Sequence, residues 1–472
     1  MIFDIDKKNK DSIAVIDDSE ITLTYGDLVD FCKKLKLILP ERELVFCLCR
    51  NSAPSLAGYL ALYDNKDVAL LLNANIEKGL YDNLFEIYRP SYIWCPEEIA
   101  ADLDVDVVLE YTGYILGRTK HTTPILHEDL SLLMTTSGTT GSPKLVRYKY
   151  GNIEMNAKNV AKAFEWTSKE KAICDLPMQY TMGLNVINTH LYVGATVLLI
   201  STHLLSPKLW AFVKKHRATN FTGVPYSYEI LSKLKFARMD LPDLTTLAEG
   251  GGRLSDNLFE QFANYAEMRN KRFVATFGTT ETSARLAFLP ANMATKKCGS
   301  IGFALPGGVI TLFDENGKEI TDPNVEGELC YRGPNVTLGY AECSEDLTKG
   351  DEFCGEYRTG DVAYKDEDGC HYIVGRKKRF LKIFGLRISL DQCEKIISEE
   401  YAIESACSGD DDRLRIYITD ESLSDSVKKL ILRKTGLTSS VLTICIVAEI
   451  PRNDSGKINY KKLDRENGLF KN

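Results

Sequence analysis

Thr135-Thr136-Ser137-Gly138-Thr139-Thr140-Gly141-Ser142-Pro143-Lys144 follows directly on an apolar run, Leu130 to Met134. Such a run reads as a strand, so the hydroxyl-rich stretch is the loop that leaves it. Its two glycines permit a tight turn in which several backbone N–H groups converge on one anion. Six hydroxyls add donors and Lys144 adds a positive charge, a set of parts suited to a polyphosphate. It is not a Walker A loop, because Pro143 stands where that loop has glycine before its lysine. Taken alone, the same composition also serves an ordinary surface loop.

Upstream, short apolar runs alternate with helix-length amphipathic stretches. Leu44 to Cys49, Val68 to Leu72 and Tyr92 to Trp94 read as buried strands, and Tyr25 to Ile38 and Ser55 to Tyr63 as helices. Downstream, Ala195 to Ile200 and Phe273 to Phe277 repeat the strand signal. Strands alternating with helices predict parallel sheets covered by helices. From about Gly308 the texture changes to short strands (Val309–Phe313, Gly327–Tyr331, His371–Val374) separated by turn signals. That predicts a smaller β-rich subdomain. After the basic stretch Gly375 to Arg387 come a helix (Asp391 to Glu399), a strand (Leu414 to Ile418), a second helix (Asp425 to Lys434) and a strand (Leu442 to Val447). The fold expected is therefore α/β: a large N-terminal domain of helix-covered sheets with a β-rich subdomain, followed by a small C-terminal α+β domain.

Composition excludes several classes. The chain has 472 residues, of which 44% are hydrophobic and 26% charged, as in ordinary globular proteins. Fifty-eight Lys plus Arg oppose 66 Asp plus Glu, for a net charge of −8. A surface built overall for nucleic acid is not expected. No apolar run is long enough for a membrane span, and Met1 to Glu20 has no apolar core of the kind a signal peptide carries. The 13 cysteines include no C-x-x-C pair, so a zinc framework is not expected. Cys47 and Cys49 read as buried strand thiols in a reducing cytoplasm.

Further stretches carry candidate chemistry. Phe277-Gly278-Thr279-Thr280-Glu281 ends the strand that begins at Phe273. Ligands gather at strand ends in α/β proteins, and a carboxylate there suits Mg²⁺ beside phosphate oxygens. Glu249-Gly250-Gly251-Gly252-Arg253 lets the backbone approach a flat ring closely. In Tyr357-Arg358-Thr359-Gly360-Asp361 a carboxylate is available to a ribose diol. The basic stretch Gly375 to Arg387 and the loop Pro451-Arg452-Asn453-Asp454-Ser455-Gly456-Lys457-Ile458 complete the set. Each alone reads first as a turn, a flexible loop or a solvated charged face.

Their order is what singles them out. The blocks resemble the core motifs of the adenylate-forming superfamily, which includes acyl-CoA synthetases, peptide-synthetase adenylation domains and luciferase-like enzymes. Thr136 to Lys144 matches its T-S-G-T-T-G-x-P-K, Phe277 to Glu281 its aromatic-G-x-T-E, and Gly327-Glu328-Leu329 its G-E-L. Thr359-Gly360-Asp361 matches T-G-D, Gly375 to Arg387 matches G-R-x-K-x-x-x-K-x-x-G-x-R, and Ser455 to Ile458 matches S-G-K-[IV]. Ile21 to Leu28 resembles the family's opening T-Y-x-x-L. The resemblance spans essentially the whole chain.

It implies ATP-dependent activation of a carboxylic acid to an acyl-adenylate, release of pyrophosphate, and transfer to a thiol, either coenzyme A (slightly preferred) or the phosphopantetheine of a separate carrier protein. Thr136, Ser137, Gly138, Thr139, Thr140, Gly141 and Lys144 are then expected on the phosphates, with Thr136 and Glu281 at Mg²⁺ and Thr280 at the α-phosphate. Gly250, Gly251, Gly252, Phe277 and Gly278 are expected around adenine, Asp361 and Arg376 at the ribose, and Lys457 on the carboxylate and α-phosphate oxygens. The resemblance also implies a domain of residues 1–376, a mobile lid of residues 377–472 with its hinge near Arg379, and a thiol entrance at Lys382 and Gly385.

Some positions depart from the family pattern. Arg379 replaces the usual Asp or Lys, Leu145 a common Gly, and Tyr150 and Tyr180 a frequent His. Tyr180 and Gly183 lie in the stretch expected to border the acyl pocket, where Tyr180 either gates the carboxylate or simply packs. Leu176 to Leu184 contains no acid, which disfavours an α-amino acid and favours a fatty, aryl or otherwise uncharged tail. The alternative to a ligase is an inactive nucleotide-binding regulator on the same fold.

Overall fold

The strand Leu44–Cys49 is buried at every position because it has apolar neighbours on both faces. Val45, Cys47 and Cys49 point into one core, whereas Leu44, Phe46 and Leu48 point into another, as the two-residue period of a strand requires. Burial raises the Cys49 thiol to about 12, so these sulfurs are packing groups. The computed structural model describes residues 1–135, 144–383, 386–410, 412–453 and 457–466.

Among the described residues this strand sits inside an eight-stranded sheet that runs from Gly339–Ala341 through Leu145–Lys149, Leu130–Thr135 and Val68–Asn73 to it, then to Tyr92–Pro96, Tyr114–Arg118 and Asp106–Tyr111. A nine-stranded sheet carries, in order, Phe303–Ala304, Ala287–Leu289, Arg272–Phe277, Thr246–Glu249, Asn220–Gly223, Lys171–Cys174, Thr196–Leu199, Ile13–Asp17 and Thr22–Thr24. Its interior pairs are parallel and its outer pairs antiparallel. The two sheets share one core, to which helices Tyr25–Ile38, Ala53–Asn65 and Thr181–Val193 all contribute. A five-stranded antiparallel sheet spans Val309 to Arg376 and carries its own apolar cluster.

The opening T-Y-x-x-L has a physical role. Thr24 caps helix Tyr25–Ile38, and Asp27 returns the bond to the Thr24 backbone at 2.8 Å. The Tyr25 hydroxyl donates to the Ala195 carbonyl at 2.8 Å, tying the first helix to the larger sheet.

Beyond Arg376 the chain forms a separate layer. Strands Phe380–Ile383 and Leu386–Ser389 pair antiparallel, so part of the basic stretch is a hairpin rather than a linker. Strands Ser405–Asp410, Arg413–Ile418 and Leu442–Ile446 form a sheet under helices Leu390–Tyr401 and Ser424–Thr435. Their apolar residues make a distinct core. Among the described residues no helix is long and apolar enough to cross a membrane.

Candidate active site

Strands Thr246–Glu249 and Arg272–Phe277 are parallel neighbours, with Glu249 opposite Ala275. Their C-terminal ends therefore release Gly250–Gly252 and Phe277–Glu281 side by side. A side chain at Gly250 would bring its Cβ within 2.4 Å of Thr276 Oγ1, so glycine is what lets the two segments touch. Gly278 is tighter still: its Cβ would lie 1.4 Å from the Ala284 carbonyl oxygen. Gly278→Ala is expected to cost at least about 3 kcal/mol, because backbone must move to make room. Urea unfolding of the purified variant measures this, and a midpoint equal to wild type would contradict it.

Glu281 follows in a short turn. Its carboxylate accepts the Tyr340 hydroxyl at 2.7 Å, and Tyr340 in turn lies 3.2 Å from the Tyr357 hydroxyl. Burial, and then the Glu281 charge, push the Tyr340 phenol well above its ordinary value, so it stays a donor. The Lys144 ammonium stands 4.1 Å from the centre of the Tyr340 ring and 3.2 Å from Glu342. One tyrosine thus connects Lys144, expected at the phosphates, to the carboxylate expected at Mg²⁺. Strand Gly339–Ala341 carries it there by pairing with Leu145–Lys149. A hard carboxylate held in place by a hydroxyl fits a Mg²⁺ ligand. Thr280 is anchored from behind, its carbonyl accepting the Tyr148 hydroxyl at 2.8 Å.

Asp361 and Arg376 face each other across strands Glu356–Lys365 and His371–Arg376. Arg376 Nε lies 3.2 Å from Asp361 Oδ1, and the Asp361 amide donates to Thr359 Oγ1 at 3.0 Å. The other carboxylate oxygen, Oδ2, is buried and has no partner among the described residues. Burial raises this carboxyl above its ordinary range despite Arg376. A buried acceptor waiting for donors is what a ribose diol satisfies.

Lys457 comes from the far end of the chain. Asn453 and Lys457 clasp their hairpin: the Asn453 amide donates to the Lys457 carbonyl at 2.8 Å and the Lys457 amide to Asn453 Oδ1 at 3.0 Å. The side chain keeps solvent-exposed surface, yet enough protein surrounds it to lower its pKa. Lost hydration is the main cause and Arg376 adds to it, while Asp361 and Glu281 pull the other way. Lys457 therefore feels the charges of the expected ribose and Mg²⁺ residues at once. Lys395 pairs with Asp256 at 2.8 Å and Arg452 with Glu229 at 3.4 Å, which ties its layer to helices Asp256–Met268 and Pro225–Lys233.

Arg379 is fixed to that layer. It bonds Asp391 and, at 2.7 Å, Glu394, and stacks 4.1 Å from the centre of the Tyr460 ring. The Asp391 carboxylate also accepts the Arg376 amide at 3.0 Å.

Tyr180 is half-buried at the start of helix Thr181–Val193. Gly183 is packed against the carbonyls of Leu176 and Pro177. Phe277 is half-buried against the core of the five-stranded sheet. Thr136, Ser137, Gly138, Thr139, Thr140, Gly141 and Gly385 lie outside the described residues, and Lys382 belongs to strand Phe380–Ile383. Tyr340 is the residue that motif reading misses. The only signal for it is the pairing of its strand, which lies between segments almost two hundred residues apart (separation 193 for Arg147 and Tyr340).

A family model described as AMP-binding enzyme matches residues 3–341. A 2-succinylbenzoate–CoA ligase of Listeria monocytogenes is 28% identical over 447 residues, covering 91% of this chain and 90% of that protein. An oxalate–CoA ligase of Arabidopsis thaliana is 26% identical over 356 residues, covering 71% of this chain and 67% of that one. Among solved structures, o-succinylbenzoate CoA synthetase from Bacillus subtilis in complex with an acyl-adenylate superposes with a TM-score of 0.77 at 20% identity, covering 96% and 95% of the two chains.

Proposed function

The chain belongs to the AMP-binding enzyme family, and from that premise we propose that it activates a carboxylic acid with ATP and passes the acyl group to coenzyme A. The observation that carries this is the convergence of Glu281, Asp361 and Arg376 on the electrostatic surroundings of Lys457, although they come from separate segments. CoA ligases over most of the chain length among its relatives support it.

The carboxylate oxygen attacks the α-phosphorus of ATP, the bond to the β-phosphate breaks, and pyrophosphate leaves. A thiolate then attacks the acyl carbon, a thioester forms, and AMP leaves with the mixed-anhydride oxygen. Negative charge on the α-phosphate oxygens grows in the first step, and the Lys457 ammonium is placed to stabilise it. Asp361 takes the ribose hydroxyls on Oδ2 and holds Arg376 beside them. Lys144 lies on the side of the pyrophosphate. Mg²⁺, held by Glu281, neutralises phosphate charge when bound. Gly250–Gly252 and Phe277 flank the adenine.

The lid reading follows from the same residues. The Arg376 side chain is bonded to the large domain through Asp361 and its amide to Asp391 of the lid, whereas the Arg379 side chain is bonded to the lid alone, through Asp391 and Glu394. The pivot between residues 1–376 and 377–472 accordingly lies between these two arginines, and its rotation brings Lys382 and Gly385 to the thiol step. A reducing compartment suits the thiols, which are all unpaired.

The test is carboxylate-dependent ATP–pyrophosphate exchange across fatty, aryl, hydroxy, dicarboxylic and amino acids. We expect exchange with one class, and thioester formation when coenzyme A is added. Nucleotide binding without exchange for any acid would favour the non-catalytic reading. Exchange followed by transfer only to a carrier-protein thiol would replace the acceptor.

A further inference from the structure

Residues 335–340 run alongside residues 280–285 and grip them at several points. Asn335 is buried, and its Nδ2 donates to the Thr282 carbonyl at 2.6 Å and to the Arg285 carbonyl at 3.3 Å. Its Oδ1 accepts the Tyr331 hydroxyl at 2.7 Å, and its backbone carbonyl accepts the Ser283 hydroxyl at 2.8 Å. The Thr337 amide donates to the Glu281 carbonyl at 3.0 Å. On the other side the Tyr148 hydroxyl holds the Thr280 carbonyl. The backbone of the turn is thus secured without Tyr340. What Tyr340 adds is different in kind: its hydroxyl donates to the Glu281 side chain, at Oε1, from 59 residues away. A tie that served packing alone needs only the backbone carbonyls already used. A bond to one carboxylate oxygen fixes the orientation of the carboxylate.

Tyr340 is itself held in place. Its strand Gly339–Ala341 pairs with Leu145–Lys149, and the Phe353 ring meets its ring edge-on at 5.4 Å. The Tyr357 hydroxyl lies 3.2 Å from its hydroxyl. The Tyr340 proton is directed at Glu281, so Tyr357 is the donor in that contact. Two hydroxyls in series therefore aim their donors at one carboxylate, and each bond polarises the next. Tyr357 stands on strand Glu356–Lys365, which also carries Asp361, and Lys144 lies 4.1 Å from the centre of the Tyr340 ring. The tyrosine pair accordingly sits where the segments expected at ribose, phosphates and Mg²⁺ meet. Mg²⁺ demands near-ideal octahedral geometry, and a glutamate loses rotamer freedom when it takes up that geometry. A hydroxyl that already holds the carboxylate has removed part of this cost.

We infer that Tyr340 is a positioning residue for the metal: its hydroxyl, backed by Tyr357, orients the Glu281 carboxylate and thereby sets the affinity of the site for Mg²⁺. The inference rests on the ligase reading above and on the Mg²⁺ role of Glu281 within it.

Calorimetric titration with ATP, in Mg²⁺ and separately in EDTA, tests it without turnover because the acid is omitted. Tyr340→Phe keeps the ring beside Phe353 and Lys144 and lacks only the hydroxyl. It should remove most of the gain in ATP affinity that Mg²⁺ gives the wild type and leave the affinity in EDTA within about threefold. In ATP–pyrophosphate exchange its half-saturating Mg²⁺ concentration should rise by about 10- to 100-fold, the scale on which a partner behind a metal ligand is felt. Excess Mg²⁺ should restore most of kcat. Tyr357→Phe should act in the same direction with a smaller effect, and melting temperatures establish that each variant is folded. Glu281→Gln sets the scale for full loss of the metal effect. If Tyr340→Phe keeps the wild-type Mg²⁺ dependence while Glu281→Gln loses it, the inference is overturned and the role of Glu281 stands. An equal fall in ATP affinity with and without Mg²⁺ in Tyr340→Phe would also overturn it, leaving the hydroxyl a packing tie. Wild-type Mg²⁺ dependence in Glu281→Gln would defeat the assignment of Glu281 and this inference with it.

Discussion

Lys457→Ala should lower ATP–pyrophosphate exchange by about two to three orders of magnitude, the usual effect of removing one preorganised group from a developing oxyanion. The protein should fold normally, because the side chain is solvent-exposed and the clasp with Asn453 uses the backbone of residue 457. Thioester formation from a supplied acyl-adenylate should stay within severalfold of wild type, since the α-phosphate step has already passed. The pH profile gives a second readout. The ammonium is the useful form, and lost hydration with Arg376 lowers its pKa below that of an ordinary lysine. Wild-type exchange should therefore fall on the alkaline side earlier than a solvated lysine would dictate. Lys457→Arg should move that limb upward, because a guanidinium does not deprotonate in this range. Equal loss of both half-reactions in Lys457→Ala would remove the assigned role.

Asp361→Ala should separate binding from stability. Nucleotide affinity should fall by about 100-fold, because a buried acceptor and the Arg376 position are lost together. Calorimetric titration with AMP reads this directly. The ligand-free protein should not lose stability in proportion. Its raised pKa means that the folded state disfavours the charged carboxylate, so the native chain binds the proton more tightly than the unfolded chain does. Stability from this group therefore rises as pH falls through the raised folded pKa toward the ordinary value, and is lost again as pH rises. Asp361→Ala should abolish that increment, as chemical denaturation across the acidic range would reveal. Unchanged AMP affinity would refute the ribose assignment.

Local patterns in the sequence carried most of the architecture. Leu44–Cys49 and Val309–Phe313 form strands with the bounds their apolar runs suggest, and Tyr25–Ile38 forms the helix its periodicity and Thr24–Asp27 cap require. Boundaries shift where a tertiary partner extends an element. His371–Arg376 runs beyond Val374 because Gly375 and Arg376 pair with Val362 and Asp361. The paired strands Phe380–Ile383 and Leu386–Ser389 are hidden by the lysines and arginines of the basic stretch, because their apolar residues Leu381, Ile383 and Ile388 find their core only against the helices and sheet that follow.

The order of the motifs, which resembles that of the adenylate-forming superfamily, determined the kind of reaction. Phosphate, ribose and carboxylate chemistry each require particular residue types at short spacing, and the resemblance assigns them to Phe277–Glu281, Thr359–Asp361 and Lys457. Only the tertiary structure decided what lies between the motifs. It set Tyr340 between Lys144 and Glu281, fastened Arg379 to Asp391 and Glu394, and buried Arg285 against Asn185 and Thr222. These contacts join segments far apart in the chain, and the cost of an unpaired buried charge depends on which neighbours the fold supplies. Residue order fixes the chemistry a loop offers, whereas burial and long-range pairing fix the charges and contacts that surround it.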